Sequence, residues 1–137
     1  MKKFSSNFCQ NVNLSSANHC VHLPYLRYAL PVIKCMISTG SLPNYYITKE
    51  QAITTGWKPG KALNNFAPGK ALGGNRFYNR EKLHLPTAPK RVWYEADIGQ
   101  DYTKRRKNNP GYRIIYSNDN MIYGSCDHYK TIFPIYL

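Results

Sequence analysis

A chain of 137 residues, 42% of them hydrophobic, can bury one core but is too short for two, which excludes a multidomain protein and a disordered chain. No apolar run approaches about 20 residues, so we expect no transmembrane helix and no association with membranes. The formal net charge of +12 concentrates polyanions near the surface, and twelve tyrosines and two tryptophans offer rings on which bases stack. Nucleic acid is therefore the expected partner, and a merely soluble basic protein is the alternative.

The first 22 residues differ from the rest and predict an irregular or disordered leader. All seven acidic residues lie beyond position 40, and residues 5–18 are polar and rich in Asn and Ser. Lys2-Lys3 resembles the start of a secretory signal, but the apolar stretch that should follow it is missing. We therefore expect a leader over residues 1–22 and one folded domain over residues 23–137.

The cysteines and histidines do not form a recognisable metal site. His19-Cys20 and His22 resemble half of a zinc site, but no second half matches them, so we expect no metal and no other cofactor. Buried or free thiols are the leading interpretation of the four cysteines, which lack CxxC spacing, and disulfides are the alternative. The cysteines are Cys9, Cys20, Cys35 and Cys126.

Two helices are predicted in the first part of the folded domain. The apolar stretch over residues 23–37 predicts a short helix with Pro31 in its first turn. Thr48 and Gln51 have the spacing of a capping box at the start of a second helix, which Gly56 ends.

The second half of the domain predicts a sheet. Residues 61–66 predict a short helical turn, and the glycine-rich segment 69–74 predicts a tight turn, because it lacks the spacing of a phosphate-binding loop. The hydrophobic period then changes to two, and strands are expected over residues 76–78, 91–98, 113–117, 121–124 and 129–133, with a hairpin turn at 117–120. Helices followed by strands predict an α+β domain, with N-terminal helices packed on one face of a twisted antiparallel sheet.

The strand over residues 91–98 divides the predicted sheet into a core face and an open face. Alternation places Val92, Tyr94, Ala96 and Ile98 on one face and Trp93, Glu95 and Asp97 on the other. Because the helices cover one side, the second face is free for a ligand, and we expect it to carry Glu95. The alternative for Glu95 is a surface carboxylate in a salt bridge worth under about 1 kcal/mol.

Six strings of residues between Leu42 and the C-terminus carry a resemblance to a known family. They are Asn44-Tyr45-Tyr46-Ile47-Thr48-Lys49, Ala67-Pro68-Gly69-Lys70 with Gly73-Gly74, Phe77-Tyr78-Asn79-Arg80-Glu81, Trp93-Tyr94-Glu95-Ala96-Asp97-Ile98, Arg113-Ile114-Ile115-Tyr116-Ser117 and Asp127-His128-Tyr129-Lys130-Thr131. In this order and spacing the chain resembles the barnase/binase group of small bacterial guanyl-specific ribonucleases. The resemblance implies the same α+β fold, a monomer, single-stranded RNA as substrate and no metal.

The resemblance also implies roles for two titratable residues. Glu95 would be the general base that takes the proton from the ribose 2′-hydroxyl, and His128 the general acid that protonates the departing 5′-oxygen. The product would be a 2′,3′-cyclic phosphate, which a second step hydrolyses with the two roles exchanged. A carboxylate and an imidazole suit this task, because they are in opposite protonation states at mildly acidic pH.

Cations are expected around the phosphorane, which carries extra negative charge. By resemblance Arg113 and Lys49 hold two of these positions. The segment between Ile98 and Arg113 is longer than the family pattern, so Arg105, Arg106 and Lys107 all remain candidates for the third, and we favour Arg106. The alternative is that this basic segment is a solvated loop that only attracts RNA.

Base recognition is assigned by resemblance to Tyr78, Asn79, Arg80 and Glu81, whose backbone amides and glutamate would read the edge of guanine. The alternative for Glu81 is a loop carboxylate paired with Arg80. Tyr129 would stack on a base, with a core tyrosine as the alternative. Asp97 is expected to orient the arginines, and Asn75 stands where the family usually has an acidic residue.

Two further interpretations concern function. A non-catalytic RNA-binding module on the same fold is one, although binding alone would not need both Glu95 and His128. The other is a toxin, secreted or delivered into target cells and held by an acidic, barstar-like inhibitor or immunity protein, because a basic cleft favours fast association with an acidic partner. The sequence shows no recognisable signal peptide for either route.

Overall fold

The computed structural model describes residues 23–135. The predicted leader, the His19-Cys20-His22 cluster and Cys9 lie outside the described residues. The chain forms helix α1 (Leu23–Thr39), strand β1 (Tyr46–Ile47), helix α2 (Lys49–Thr54), strands β2 (Ala71–Arg76), β3 (Trp93–Asp97), β4 (Arg113–Ser117), β5 (Ile122–Ser125) and β6 (Phe133–Pro134), and short 3-10 turns at Leu63–Asn65 and Arg106–Asn108.

The six strands form one sheet in chain order, so each strand pairs with its neighbours in sequence. Strands β2 to β6 are antiparallel, whereas β1 pairs with β2 in parallel. The predicted α+β class is confirmed, but the sheet is mixed because of this one parallel pair. None of the helices within residues 23–135 combines the length and apolar character needed to cross a bilayer.

Helix α1 packs its apolar face on the sheet. Its buried side chains, which recur at helical spacing, join residues of β3 to β6 in the main core. At its start the Tyr25 hydroxyl donates to the Arg113 carbonyl oxygen over 2.9 Å, which ties the helix to β4. The placement of Pro31 in the first turn is wrong: the helix begins at Leu23 and Pro31 lies inside it. Pro31 is exposed, so water can reach the carbonyl oxygen that its missing N–H leaves unbonded.

The capping box of α2 is confirmed. Thr48 Oγ1 accepts from the Gln51 backbone N–H, and Gln51 Oε1 accepts from the Thr48 N–H. Both donors belong to the first turn of a helix, where no carbonyl oxygen is available to them. The interaction fixes where the helix starts and therefore where Lys49, its first residue, lies.

The prediction of a tight turn over residues 69–74 is wrong for its second half. Ala71–Arg76 is a strand, and a register shift between Gly73 and Asn75 forms a bulge at Gly74, whose φ is +94°. A Cβ on Gly73 would lie 2.8 Å from the Cβ of Ala96, so this glycine permits β2 to approach β3 closely. The segment is rich in glycine because of packing and bulge geometry, not because the chain reverses there.

Side chains of β3 alternate between the two faces of the sheet, as predicted, but the face expected to be open also carries an apolar cluster. Ala96 and Ile98 lie in the main core beneath α1, whereas Trp93 joins a second cluster on the opposite face with Phe77, Ile115 and others. The strand predicted over 129–133 is wrong except at its end, since β6 is Phe133–Pro134. His128 and Tyr129 have φ of 54° and 72°, a left-handed pair that cannot continue a strand.

The described cysteines differ in state. Cys35 is a free thiol, as expected, whereas the same expectation is wrong for Cys126, which is disulfide-bonded.

Candidate active site

The open face of the sheet carries a cleft of about 460 Å³. All ten site residues predicted from the sequence line it: Lys49, Tyr78, Asn79, Arg80, Glu81, Glu95, Arg106, Arg113, His128 and Tyr129. One lies on α2, four lie in the loop that follows β2, and one lies on β3. Of the other four, one lies in the segment before β4, one on β4 and two in the loop that follows β5. The cleft therefore places a carboxylate, an imidazole and several cations around one space. Within residues 23–135 no three His, Cys, Asp or Glu side chains are grouped closely enough to hold a metal ion.

Glu95 is held by Tyr129. The Tyr129 hydroxyl donates to Glu95 Oε1 over 2.9 Å. Tyr129 is only 4% exposed and packs against Phe77, with ring centroids 5.0 Å apart. Burial raises the pKa of the Tyr129 phenol, and the nearby charge of Glu95 adds to this, so the hydroxyl keeps its proton and remains a donor. The structure thus places Tyr129 mainly in the core, with one edge on the cleft, and its contact with Glu95 orients the carboxylate.

We expect Tyr129→Phe to lower kcat with little change in KM, because the ring still packs but Glu95 loses the donor that orients it. A hydrogen bond to a charged group contributes about 1.5–3 kcal/mol, and the low end applies here because Glu95 lies on an open cleft. Steady-state kinetics measure the change in kcat and KM, and urea unfolding measures the change in the free energy of unfolding. Tyr116→Phe is the matched control, since Tyr116 packs against the main core on the opposite face. Equal losses in both variants would mean that the bond to Glu95 is immaterial.

His128 is positioned by its backbone. Its N–H donates to the Gly111 carbonyl oxygen over 3.0 Å, and the following N–H, of Tyr129, donates to Ser125 Oγ over 2.9 Å. A Cβ at Gly111 would lie 2.7 Å from the His128 nitrogen, so only glycine allows this approach. Two successive non-glycine residues with left-handed φ cost free energy, and the two hydrogen bonds hold the backbone in this conformation despite that cost. Gly111 was missed by sequence reasoning, because nothing local marks a glycine that a distant backbone segment needs.

Arg106 contacts the imidazole directly. Arg106 Nη2 lies 2.5 Å from His128 Nε2. A guanidinium has only donors, so in this contact Nε2 accepts and the ring is neutral. Burial lowers the pKa of His128 below its ordinary value, and the charges of Arg113 and Arg106 lower it further. Of the three candidates for the third cation, Arg106 alone lines the cleft.

Removing the Arg106 charge is expected to raise the pKa of His128. In Arg106→Ala one of the two cations that disfavour the protonated form of the ring is gone. An NMR titration of the imidazole resonances measures the change. Arg105→Ala is the matched control. It removes the same charge from the neighbouring residue, whose side chain does not line the cleft. If the pKa of His128 did not change in Arg106→Ala, or rose equally in both variants, the contact between Arg106 and His128 would be contradicted.

Arg113 is fixed by a buried ion pair. Its Nε lies 3.0 Å from Asp97 Oδ1, and the whole residue is 4% exposed. Tyr102 donates its hydroxyl to Asp97 Oδ2 over 2.9 Å, so both carboxylate oxygens are used. Asp97 therefore orients Arg113, as the sequence predicted of it. Sequence reasoning missed Tyr102 as a partner of Asp97, because no sequence pattern marks a tyrosine that lies five positions beyond Asp97 and across a loop.

Asn75 joins Lys49 to Glu50. Its Oδ1 accepts from the Lys49 backbone N–H over 2.9 Å, and its Nδ2 donates to Glu50 Oε2 over 2.8 Å. An ionised acidic residue at position 75 could accept the first bond but not donate the second. The neutral amide therefore fits its neighbours and leaves the Lys49 side chain on the cleft without an added negative charge beside it.

The loop after β2 forms the far end of the cleft. Asn79 has a φ of 54°, and its side chain both donates to and accepts from the backbone of Leu83, so its amide group shapes the loop. Tyr78 is 66% exposed, with the guanidinium carbons of Arg76 and Arg80 at 5.1 and 5.7 Å from its ring centre. In the described part of the chain no ion pair joins Glu81 to Arg80, so the alternative of a paired loop carboxylate is not seen.

Comparison with known proteins finds that the chain is similar to ribonucleases. A family model described as ribonuclease matches residues 32–133. A ribonuclease of Heyndrickxia coagulans is 47% identical over 95 residues, which cover 69% of this chain and 83% of that protein. Ribonucleases of Bacillus intermedius and Bacillus pumilus are each 47% identical over 95 residues, and the match spans only 56% of their length. The region matched by the family model, residues 32–133, contains the ten cleft residues described above.

Proposed function

The chain belongs to the ribonuclease family, and on that premise we propose that it is a metal-independent endoribonuclease that cleaves single-stranded RNA after guanosine. The observation that carries the proposal is that Glu95 and His128 line one cleft together with Lys49, Arg106 and Arg113. A proton acceptor, a proton donor and preorganised cations are what a transesterification at phosphorus requires.

The first step transfers two protons and exchanges one bond. Glu95 takes the proton of the ribose 2′-hydroxyl, and the 2′-oxygen attacks its own phosphorus. The bond from phosphorus to the 5′-oxygen breaks, and His128 gives its proton to that oxygen, which leaves a 2′,3′-cyclic phosphate. The nucleophile belongs to the substrate, so the enzyme has only to hold the reacting atoms in line. Water adds in the second step, with the base and acid roles exchanged.

The contact between Arg106 and His128 implies that substrate binding activates the general acid. In the free enzyme the guanidinium occupies the lone pair of Nε2, where a general acid must carry its proton. A bound phosphate offers the guanidinium a better acceptor, with two oxygens for its fork of N–H groups. Its negative charge also favours the protonated imidazole. Substrate binding thus frees Nε2 and raises the pKa of His128.

The preference for guanine rests on the loop after β2. A carboxylate accepts two hydrogen bonds side by side, and the N1–H and exocyclic amine of guanine form such a pair of donors. Glu81 lines the end of the cleft in a loop that the Asn79 side chain holds in shape. The exposed ring of Tyr78 offers a surface for stacking.

Digestion of a defined RNA in the presence of EDTA, with the 3′ ends mapped, tests chemistry and specificity together. We expect cuts after guanosine that carry 2′,3′-cyclic phosphate early in the digest. Ends distributed over all four bases would overturn the guanine preference. No cleavage in EDTA, restored by Mg²⁺, would overturn the metal-independent mechanism, and tight RNA binding without turnover between pH 4 and 8 would favour a binding module.

We also propose that an acidic, barstar-like inhibitor protein covers the cleft, and that the chain acts as a toxin secreted or delivered into target cells. The support is electrostatic: a net charge of +12 and at least three cations around the cleft favour fast, salt-sensitive association with an acidic surface. Expression of the active chain with and without a co-expressed acidic neighbour tests this. Normal growth without such a partner would count against it.

A further inference from the structure

The side chain of Asn109 makes three hydrogen bonds inside the segment that joins β3 to β4. Its Oδ1 accepts from the Asp101 N–H over 2.6 Å, and its Nδ2 donates to the carbonyl oxygens of Asp101 and Arg105, each over 3.1 Å. Both polar atoms of the amide thus meet groups of the opposite kind. An aspartate could accept the first bond, but it would direct a carboxylate oxygen at two carbonyl oxygens. The acid–base mechanism assigns no step to Asn109.

Arg106 lies in the part of the segment that these bonds enclose. It begins the short 3-10 turn Arg106–Asn108, in which the Asn108 N–H donates to the Arg105 carbonyl oxygen over 3.0 Å. The turn ends where the Asn109 N–H donates to the Arg106 carbonyl oxygen over 3.1 Å. The N–H of Arg106 itself makes only a long bond of 3.4 Å, to the Gly60 carbonyl oxygen. The backbone of Arg106 is therefore held mainly by residues 105–109, and Asn109 joins these residues to Asp101.

A second amide side chain closes the segment at its base. Gln100 Nε2 donates to the carbonyl oxygens of Ile98 and Pro110 over 2.9 and 2.8 Å, which fixes where the segment leaves and rejoins the sheet. Between these points residues 101–109 carry no apolar side chain apart from Tyr102, so hydrogen bonds rather than packing have to determine their shape. A loop that only attracts RNA would not need this internal network.

We propose that Asn109 is a positioning residue that holds Arg106 against Nε2 of His128. Arg106 is exposed and its side chain is long, so on a mobile backbone the guanidinium would spread over many positions. The contact with Nε2, at 2.5 Å, needs one of these positions. The catalytic consequence rests on the proposed function, in which His128 is the general acid. The contact itself can be measured on the free protein without any substrate.

The test is an NMR titration of His128 in Asn109→Ala, Arg106→Ala and the double variant. We expect the pKa of His128 to rise in Asn109→Ala, because a displaced guanidinium no longer disfavours the protonated ring. In the Arg106→Ala background the same substitution should add almost nothing, because no guanidinium is left to displace. The comparison isolates the route through Arg106, since the other charged groups that act on His128 are present in both backgrounds: Arg113 on β4, Asp97 on β3 and Glu81 in the loop after β2.

Activity gives a second readout. The alkaline limb of kcat/KM against pH should move to higher pH in Asn109→Ala, because it follows the pKa of the acid in the free enzyme. We also expect kcat to fall, by up to about 10²-fold, which is what a misplacement of about 1 Å can cost. Asn118→Ala is the matched control. The Asn118 amide likewise joins backbone groups, accepting from the Val92 N–H and donating to the Lys90 carbonyl oxygen, but it does not line the cleft.

Urea unfolding checks that Asn109→Ala is folded, and Asn109→Ser, which keeps one polar group, is titrated in the same way if the alanine variant is not. A folded variant in which the pKa of His128 is unchanged would overturn the proposal. An equal rise with and without Arg106, or an equal rise in Asn118→Ala, would overturn it as well. If the wild-type protein cleaves no RNA, the proposed function fails, but the titration still decides whether Asn109 positions Arg106.

Discussion

Glu95→Gln is expected to slow the cleavage of GpU by about 10²–10⁴-fold, the range that one general base contributes. Glutamine has nearly the same shape and can still accept from the Tyr129 hydroxyl, which lies 2.9 Å from Oε1. It cannot take a proton from the 2′-hydroxyl. The loss should therefore appear in kcat, with the affinity for a non-cleavable 2′-deoxy analogue and the free energy of unfolding close to those of the wild type.

His128→Gln is the companion experiment, because the proposed mechanism has base and acid act in the same step. We expect each single variant to lose most of the activity, and the double variant to lose far less than the product of the two effects. The double variant still holds Lys49, Arg106 and Arg113 on the cleft and should retain RNA binding. Wild-type rates in either single variant would remove the acid–base mechanism altogether.

Arg113→Met is expected to have two separate large effects. It leaves Asp97 without its cation in a mostly buried site, and breaking such a pair costs about 3–5 kcal/mol of unfolding free energy. In the proposed mechanism it also removes a preorganised donor to the phosphorane, for which a loss of about 10²–10³ in kcat is typical. Urea unfolding and kinetics under conditions where the variant remains folded separate the two effects.

Asp97→Asn/Arg113→Met is the control that distinguishes stability from catalysis. Without the negative charge at position 97 no unpaired ion remains, and the amide oxygen can still accept from the Tyr102 hydroxyl. We expect part of the unfolding free energy to return while kcat stays low. If activity returned together with stability, Arg113 would act only through the fold and not at the phosphate.

Local chemistry determined which parts of the structure were predictable. The capping box at Thr48 and the alternation around Glu95 depend on residues close in sequence, so the pattern alone was enough. Pro31 was placed wrongly because the apolar face of α1 begins at Tyr25, and packing on the sheet outweighs the loss of one helical hydrogen bond. Gly73 is required by a neighbour on another strand, which no local rule detects.

The same distinction applies to the cleft. Resemblance supplied nine of the ten residues, all but Arg106, and the structure brings all ten together. The resemblance did not supply the choice among Arg105, Arg106 and Lys107. Their segment is longer than the family pattern, and such a segment has no fixed register until it folds. Nor did the resemblance supply the bonds from Tyr129 to Glu95 and from Tyr102 to Asp97, because each joins elements far apart in the chain or across a loop.

The left-handed pair His128 and Tyr129 has a consequence for the dynamics of the enzyme. His128 is the proposed acid, and Tyr129 holds the proposed base, Glu95, so a single local opening of this loop would disable both proton-transfer groups at once. The population of competent molecules then follows one opening equilibrium rather than two independent ones. Native-state hydrogen exchange should accordingly show the amides of His128, Tyr129 and Thr131 opening as a cooperative unit, with a shared free energy below that of global unfolding.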